Sequence, residues 1–296
     1  MENPPGRLTG VRPASPILAG LCGILWIFAV ATMAAAEPLG RIGFPALAGG
    51  KPCESVVVPC ADPPIHVTVV PRGANPQQPT PAVRVIGHDP VSRLGFLEYR
   101  GTKIGQRGNA WLDSAAGCIG TSVTAATIDG PVPCRIAGWE KKVGGKILPL
   151  ALLKVDFQSE VPPPGTPLMD ERGRIAGIVF QSAGKSQTAY AIPAEAVHRV
   201  GRDIRSGGVL VRPRLGLTLN AQNSEARVVR VLPGSPAAAA GIRPGDVLLQ
   251  VGGRAIRAYA DVPDAFFYLI PGRPTAIIVQ RGSRRIDATI TPERAG

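Results

Sequence analysis

The sequence predicts a mostly β protein with two folded parts behind an N-terminal apolar segment. Glycine (36) and proline (31) make up nearly a quarter of the 296 residues, a proportion that favours strands and turns over helical bundles. Apolar residues account for 45% of the chain, which is enough to build hydrophobic cores and excludes wholesale disorder. Only one stretch is long and apolar enough to span a bilayer, so a polytopic membrane protein is excluded as well.

Residues 1–36 have the pattern of an export signal. Arg7 and Arg12 precede an apolar run from Pro16 to Ala36, which ends in three alanines before Glu37. A basic start, an apolar middle and small residues before a polar break are typical of a secretory signal, so cleavage is expected after the last alanine. The alternative is an uncleaved anchor helix, because about 20 apolar residues suffice to cross a membrane. Either way the remainder is expected to be periplasmic or secreted, and anchored to the inner membrane if the segment is retained.

The chain is strongly basic, with a formal net charge of +12. This balance favours acidic partners such as anionic peptides or a membrane surface, so peripheral or anchored membrane association is one expectation. We prefer the interpretation of a solvated, arginine-rich surface. Nucleic acid is not expected as a partner, because the chain is exported and has no basic run with interleaved aromatic residues.

Four cysteines remain outside the signal, and they predict two disulfides in an oxidising compartment. Sequence proximity favours Cys53–Cys60 and Cys118–Cys134 among the three possible pairings. A zinc site is the alternative, but the chain has no Cys-x-x-Cys and its three histidines are scattered. No metal and no cofactor are therefore expected.

The first folded part, residues 37–205, alternates short β-rich runs with proline and glycine clusters. The runs are Ile65–Val70, Ala82–Ile86, Leu94–Tyr99, Ile147–Val155 and Arg174–Phe180. One short helix is predicted over Ala194–Ile204. This alternation of short strands and turns is typical of a β-barrel or sandwich rather than of βαβ units. Gly207–Gly208 and the five arginines between Arg199 and Arg214 predict an exposed, basic linker to the second part.

The second part, residues 206–296, contains the run GSPAAAAGIRPGDVLLQVGG at 234–253. A strand is predicted before it at Val228–Val231, a helix after it at Asp261–Ile270, and a closing strand pair at Thr275–Gln280 and Arg285–Thr291. This pattern resembles a PDZ domain of the bacterial type, an α+β fold built on a small β-barrel with helices. Gly241, Pro244, Gly245 and Asp246 are interpreted as structural turn-formers.

The PDZ resemblance implies a groove that takes an extended peptide as an extra strand. The groove would lie between the strand that begins at Leu217 and the predicted helix, with backbone N–H groups of the turn before that strand receiving a terminal carboxylate. The predicted peptide-binding residues are Arg214, Leu215, Gly216, Leu217, Leu219, Val262 and Phe266. For Leu217, Leu219, Val262 and Phe266, ordinary core packing is the alternative role.

Three stretches before this domain resemble, in order, the HtrA (Deg) family of periplasmic trypsin-like proteases. VIGHDPVSRLGFLEY at 85–99 is similar to the strand pair that carries the family's catalytic aspartate. VDFQSEVPPPGTPLMDERGRIAGIV at 155–179 is similar to its nucleophile loop and the next strand, and AYAIPAEAVHRV at 189–200 to its last strand and helix. The resemblance implies a trypsin-like double β-barrel, here degenerate and with a trimmed or irregular first barrel.

The departures from the family pattern decide the expected activity. The position of the nucleophilic serine holds Pro164, and the two oxyanion-hole positions hold Pro162 and Pro164, which have no N–H to donate. Arg93 stands at the aspartate position, and the histidine position falls near Ser55–Val57, where there is no histidine. His66, His88 and His198 are expected on the surface. No catalytic residue is assigned.

The leading hypothesis is an exported pseudoprotease that binds peptides or protein C-termini through its PDZ domain, as a scaffold or regulator. One alternative is an active but atypical serine endopeptidase of the HtrA family in periplasmic protein quality control. Another is a chaperone-like or regulatory subunit that assembles with an active protease homologue.

Overall fold

The computed structural model describes residues 40–44, 53–61, 65–74, 83–99, 110–184, 186–221 and 224–295. The chain divides into two compact units, and all described residues belong to the second, Ala35–Gly296. They form an open sheet, a closed barrel and a C-terminal domain, so the mostly β prediction is confirmed. The apolar run at residues 16–36 lies outside the described residues; among these, no helix is long and apolar enough to cross a membrane.

The first sheet is antiparallel and open. Its strands are β1 (Gly40–Phe44), β2 (Cys53–Ala61), β3 (Ile65–Val69), β4 (Val83–His88) and β5 (Leu94–Tyr99). They lie in the order β1-β2-β3-β5-β4, and the outer edges of β1 and β4 pair with no other described strand. One face packs into a small core that includes Ile42, Phe44, Val57 and Leu97. The described strands of this part therefore form an open sheet, and the trimmed first barrel stays a prediction.

The next six strands close into a barrel. They are β6 (Ser122–Thr127), β7 (Gly130–Val143), β8 (Lys146–Phe157), β9 (Pro167–Met169), β10 (Ile175–Ser182) and β11 (Thr188–Pro193). Their order around the barrel is β10-β11-β8-β7-β6-β9. The interior is apolar, with Ile136, Leu153, Val155 and Leu168 fully or almost fully buried. The long hairpin of β6 and β7 was not predicted, because Pro131, Pro133 and several charged residues interrupt its alternating pattern.

The sheet and the barrel pack face to face along an apolar seam. Val58 and Phe96 of the sheet lie in one buried cluster with Leu152 and Ile178 of the barrel. Helix α1 (Ala194–Gly207) adds buried side chains to the same cluster, at positions spaced along one helical face: Ala196, Val197, Val200 and Ile204. The predicted helix is therefore confirmed, and it covers the seam.

The basic stretch from Arg199 to Arg214 is only in part the exposed linker that the sequence predicts. Four of its five arginines are exposed, but α1 extends through residue 207 and Arg199 on this helix is buried. Arg199 is only 3% exposed and forms an ion pair with Asp203 one turn later. Its guanidinium also donates to the carbonyls of Val211 (2.9 Å) and Leu269 (3.0 Å). Arg212 forms an ion pair with the buried carboxylate of Asp89 at 3.0 Å. These arginines hold the two domains together, a role that the spacing of charges along the chain does not reveal.

The C-terminal domain combines short strands with two short helices. Its elements are β12 (Pro213–Arg214), β13 (Leu217–Leu219), β14 (Val228–Val231), α2 (Pro236–Ala239), β15 (Val247–Val251), β16 (Arg254–Ala255), α3 (Val262–Phe267), β17 (Thr275–Arg281), β18 (Arg284–Ile290) and β19 (Glu293–Arg294). The predicted strands at Val228–Val231 and in the closing pair are confirmed. The predicted helix is shorter than expected, because a 3₁₀ turn at Tyr259–Asp261 precedes it and a turn follows Phe267.

Helix α3 is packed on both sides. Its Val262 and Ala265 lie in the core of the C-terminal domain, whereas Phe267 is buried in the seam cluster of the barrels. The Asp264 carboxylate accepts a hydrogen bond from the N–H of Ala151 on β8 at 2.7 Å and binds Arg254 at 2.7 Å. The barrel thus fixes the position of this helix within the C-terminal domain.

Among the cysteines whose side chains the structure describes, none forms a disulfide, in contrast to the prediction. Cys60, Cys118 and Cys134 are free thiols, and the side chain of Cys53 lies outside the described part of the chain. Burial raises the pKa of Cys60 to about 12 and that of Cys134 to about 11. Both thiols therefore stay neutral at physiological pH and pack as small apolar side chains. Cys134 also lies within hydrogen-bond distance of the Val123 carbonyl.

Candidate functional site

The loop between β8 and β9 carries the three consecutive prolines and lies directly against the first sheet. The carbonyl of Pro164 accepts hydrogen bonds from the N–H of Val56 and the hydroxyl of Ser55, both at 2.9 Å. On its other side, the loop is tied to β10 by the N–H of Gly165, which donates to the Val179 carbonyl at 2.7 Å. The proline loop therefore lies where the sheet meets the barrel.

Gly165 permits this close approach. Its φ is +85°, and a Cβ at this position would lie 2.2 Å from the carbonyl oxygen of Val56. Only glycine fits without moving one backbone away from the other. The segment at Ser55–Val57 and Pro164, to which the family resemblance assigns the histidine and the nucleophile, are thus neighbours in space.

Ser55 has its hydroxyl fully engaged. It is 1% exposed, donates to the Pro164 carbonyl, and accepts a hydrogen bond from the Thr68 hydroxyl at 2.9 Å. A serine acts as a nucleophile only when a base takes its proton, and here the hydroxyl donates its hydrogen bond to a backbone carbonyl, which is not a base. This contact links positions 109 residues apart, and sequence reasoning did not find it.

Arg93 lies at the same seam. Its φ of +58° is the only positive φ at a described non-glycine residue. Its guanidinium lies 4.1 Å from the centroid of the Phe180 ring and donates to the Phe180 carbonyl (3.3 Å) and to Oε1 of Gln181 (3.4 Å). Burial, and then the charge of Arg72, lower the pKa of Arg93 to about 10, so the group is still cationic at pH 7. A positive charge stands where the resemblance implies a carboxylate.

These residues together lack the parts that acyl transfer requires. A trypsin-like site needs a hydroxyl or thiol nucleophile, a base, a group that orients the base, and N–H donors for the oxyanion. Pro164 has no hydroxyl, Pro162 and Pro164 have no N–H, and Arg93 repels an imidazolium. The loop is held by its hydrogen bonds to the first sheet and to β10.

The three histidines do not occupy the surface positions that the sequence predicts. His66 is buried and stacks edge-to-face on Tyr99, with 4.9 Å between the ring centroids. His88 is half-buried, and burial lowers its pKa in spite of the neighbouring Asp89. His198 on α1 is half-buried, with Nε2 3.0 Å from the Leu112 carbonyl. The prediction was wrong because packing in the open sheet and at the seam buries these side chains. The sequence alone shows only that histidine is polar and not which neighbours cover it.

In the C-terminal domain, β13 pairs with β14 along one edge and with no described strand along the other. The side chains of Leu217, Leu219 and Phe266 are half-buried and pack against the domain core. Leu215 and Val262 are buried, so for these two residues packing in the core is their observed role. An open strand edge beside half-buried apolar side chains is the arrangement that strand addition uses.

The turn before β13 is shaped by Gly216. Its φ is +72°, and a Cβ there would lie 2.2 Å from Cβ of Ser235. The Gly216 carbonyl accepts a hydrogen bond from the N–H of Leu232 at 2.8 Å. Arg214 is exposed and lies on β12, opposite Glu293 in the register of β12 with β19. Five of the seven predicted groove residues therefore remain accessible to a ligand.

Comparisons with known proteins agree with this architecture. A sequence model described as a PDZ domain matches residues 227–281. The putative serine protease HhoB of Synechocystis sp. is 28% identical over 141 residues, which is 40% of this chain and 34% of that protein. A probable periplasmic serine endoprotease DegP-like of Pseudomonas fulva is 26% identical over 234 residues, or 68% of this chain and 46% of that protein. The chain thus spans less than half the length of these curated relatives.

Solved structures agree over most of the chain. The HtrA-type protease AlgW with a decapeptide superposes with a TM-score of 0.59 and 16% identity, covering 88% of this chain and 97% of that one. The serine endoprotease from Yersinia pestis gives a TM-score of 0.54 with 20% identity, covering 88% and 95%. At these low sequence identities, the structural similarity establishes the fold alone. The chain therefore has the fold of HtrA-type proteases, a trypsin-like domain followed by a PDZ domain, and its sequence is similar to that of HtrA- and DegP-like relatives.

Proposed function

We propose that this chain is an exported pseudoprotease of the HtrA type, which binds peptides or protein C-termini through its PDZ groove while the trypsin-like domain serves as a scaffold. The observation that carries the proposal is the proline loop. It lies at the seam where the family resemblance implies the nucleophile, and its Pro164 carbonyl is held by Ser55 and Val56. One loop thereby lacks the attacking atom and both oxyanion donors.

Hydrogen bonds and proline rings hold the loop in this arrangement. Pro163 accepts hydrogen bonds from the N–H (3.3 Å) and the hydroxyl (2.7 Å) of Thr166, and Gly165 is anchored to β10. Three consecutive prolines fix φ at each position, so the segment has little freedom to turn toward an oxyanion. An active form would therefore need residues from elsewhere, which is the alternative of an atypical serine endopeptidase.

Peptide binding is supported by the free edge of β13 and by α3, whose position the barrel fixes. AlgW, with which this chain shares its fold, has been solved with a decapeptide, and the DegP-like relatives are named periplasmic. We extend both properties to this chain, so its place of action would be the periplasm. The basic, exported chain would then meet unfolded or newly translocated proteins.

The test of inactivity uses the purified full chain. We expect no turnover of an unfolded casein and no labelling by a serine-reactive fluorophosphonate, with an active HtrA-type protease as the positive control. The variants Ser55→Ala and Ser182→Ala identify the serine if any labelling occurs. Labelling that a single Ser→Ala substitution abolishes would establish the atypical endopeptidase instead.

The test of the groove measures peptide affinity by calorimetry. We expect Phe266→Ala to weaken the binding of an apolar peptide with a free C-terminus by about tenfold, which corresponds to about 1.4 kcal/mol. Val229→Ala, at an exposed apolar position on β14, is the matched control and should bind normally. Equal affinities for the free and the amidated peptide would contradict carboxylate recognition. Co-purification with an active protease homologue would favour the regulatory-subunit alternative.

A further inference from the structure

Arg93 has a backbone conformation that an arginine adopts only at a cost. It lies at the end of the turn between β4 and β5, where the N–H of Asp89 donates to the Leu94 carbonyl at 3.0 Å, and its φ is +58°. Glycine takes a positive φ readily, whereas the Cβ of any other L-residue is crowded there. The turn alone therefore does not explain an arginine at this position, and what the arginine adds is its side chain.

The guanidinium of Arg93 is incompletely hydrogen-bonded. Its Nε is buried and has no hydrogen-bond partner. Its Nη2 donates to the Phe180 carbonyl at 3.3 Å and to Oε1 of Gln181 at 3.4 Å, both beyond the usual range of about 2.7–3.2 Å. A buried donor without an acceptor is costly, and a bound water or ion is one of its recognised explanations.

A second arginine lies close to Arg93. The Arg93 carbonyl accepts a hydrogen bond from the N–H of Val70 at 2.8 Å, and the exposed Arg72 stands in the turn that follows Val70. Burial lowers the pKa of Arg93, and the nearby charge of Arg72 lowers it further. Because the two positive charges repel each other, an anion bound to both would stabilise this arrangement.

The positive charge of this pair is not balanced by a carboxylate of the chain. In the part of the chain that the structure describes, neither Arg72 nor Arg93 forms an ion pair. Asp89, the acidic residue of the same turn, already holds Arg212. The buried Arg199, by contrast, has its own aspartate one helical turn away. An external anion would give Arg93 the counter-charge that the chain gives Arg199.

We propose that Arg93 and Arg72 bind an oxyanion at the seam between the first sheet and the barrel. Arginine suits this ligand, because its planar fork of N–H donors matches the oxygens of a carboxylate or a phosphate group. The Phe180 ring, whose centroid lies 4.1 Å from the guanidinium carbon, and the Gln181 side chain hold the fork in place. The oxyanion comes from an acidic side chain of a bound peptide or from free phosphate. The site is separate from the PDZ groove and requires no catalysis.

The experiment is calorimetric titration of the full chain at pH 7 with inorganic phosphate and with two pentapeptides. Each peptide has acetylated and amidated ends and one central residue among alanines, either glutamate or glutamine. Blocked ends remove the carboxylate that the PDZ groove would recognise, so this result is independent of the proposed function. If a peptide supplies the oxyanion, the glutamate peptide should bind at least about tenfold more tightly than the glutamine peptide. If free phosphate is the source, phosphate alone should bind, and either ligand should bind more weakly as sodium chloride is raised.

Two variants of Arg93 separate anion binding from a purely structural role. Arg93→Gly suits the positive φ but removes the guanidinium, and Arg93→Met keeps an apolar stem beside the aromatic ring. Each should weaken the binding at least about tenfold, and Arg72→Gln should weaken it by a smaller factor because this arginine is exposed. Arg202→Gln, at an exposed position on α1, is the matched control and should bind like the unmodified chain.

The proposal fails if neither phosphate nor the glutamate peptide binds, or if the two peptides bind equally while phosphate does not bind. It also fails if the affinity is unchanged in the variants of Arg93 or Arg72, or if Arg202→Gln loses as much affinity as they do. Thermal melts of the variants confirm that each is folded.

Discussion

Replacing Asp246 by asparagine should destabilise the PDZ domain by about 1.5–3 kcal/mol at pH 7, the size of a hydrogen bond to a charged group, because the partner Arg281 is 31% exposed. The carboxylate is completely buried. It accepts two hydrogen bonds from Arg281, both at 2.8 Å, and one from the N–H of Arg243 at 2.9 Å. An amide keeps the shape but loses the charge and one acceptor. Asp287→Asn, at an exposed position on β18, is the control and should change stability little.

The effect of this substitution should depend on pH in a defined direction. Burial alone would raise the pKa of Asp246, but the hydrogen bonds from Arg281 and from the Arg243 N–H outweigh it and lower the pKa below its usual range. A carboxyl whose pKa is lower in the folded state stabilises the fold above the unfolded pKa of about 3.9, and this contribution is lost as the pH falls through the folded pKa.

Denaturant unfolding at a series of pH values measures this effect. The difference in stability between the unmodified chain and Asp246→Asn should be constant from about pH 7 to 5 and should shrink below about pH 4. A difference that stays constant down to pH 3 would show that the loss comes from packing and not from the carboxylate charge.

Asp246 also illustrates what the sequence can predict. Its place in the turn of the Pro244-Gly245-Asp246 run was interpreted correctly as structural, because turn chemistry is local. Its partner Arg281 lies 35 residues further on, beyond the reach of any local pattern. The strands and turns of the PDZ domain were predicted well for the same reason, since each is set by residues close in sequence.

The first domain was less predictable, because tertiary contacts determine its polar residues. The ring of Tyr99 packs on His66, and the proline loop covers Ser55. The thiol of Cys60 packs against the apolar cluster at the seam. None of these contacts follows from periodicity. The family resemblance, by contrast, pointed to Pro164, Arg93 and the segment at Ser55–Val57. All three lie at the seam between sheet and barrel, and their assignment to catalytic positions stays a prediction.

Arg199 is the clearest case of a residue whose role the sequence concealed, and its replacement should have the largest effect on the junction between the domains. Arg199→Met should lower the free energy of unfolding by about 3–5 kcal/mol, because it leaves the Asp203 carboxylate without its buried ion-pair partner. The carbonyls of Val211 and Leu269 would also lose their donor. Arg199→Lys should recover only part of this loss, since an ammonium has no planar fork to reach three acceptors.

The measurement is denaturant unfolding combined with limited proteolysis between α1 and β12. We expect Arg199→Met to unfold at lower denaturant and to be cleaved faster after residue 207, with Arg202→Met, an exposed arginine on the same helix, as the matched control. The double variant Arg199→Met/Asp203→Leu should regain stability relative to Arg199→Met, because it removes the uncompensated charge. If Arg199→Met and Arg202→Met behaved alike, the buried arginine would not be what couples helix α1 to the PDZ domain, and the junction would depend on the contacts of α3 with the barrel, those of Asp264 and Phe267 among them.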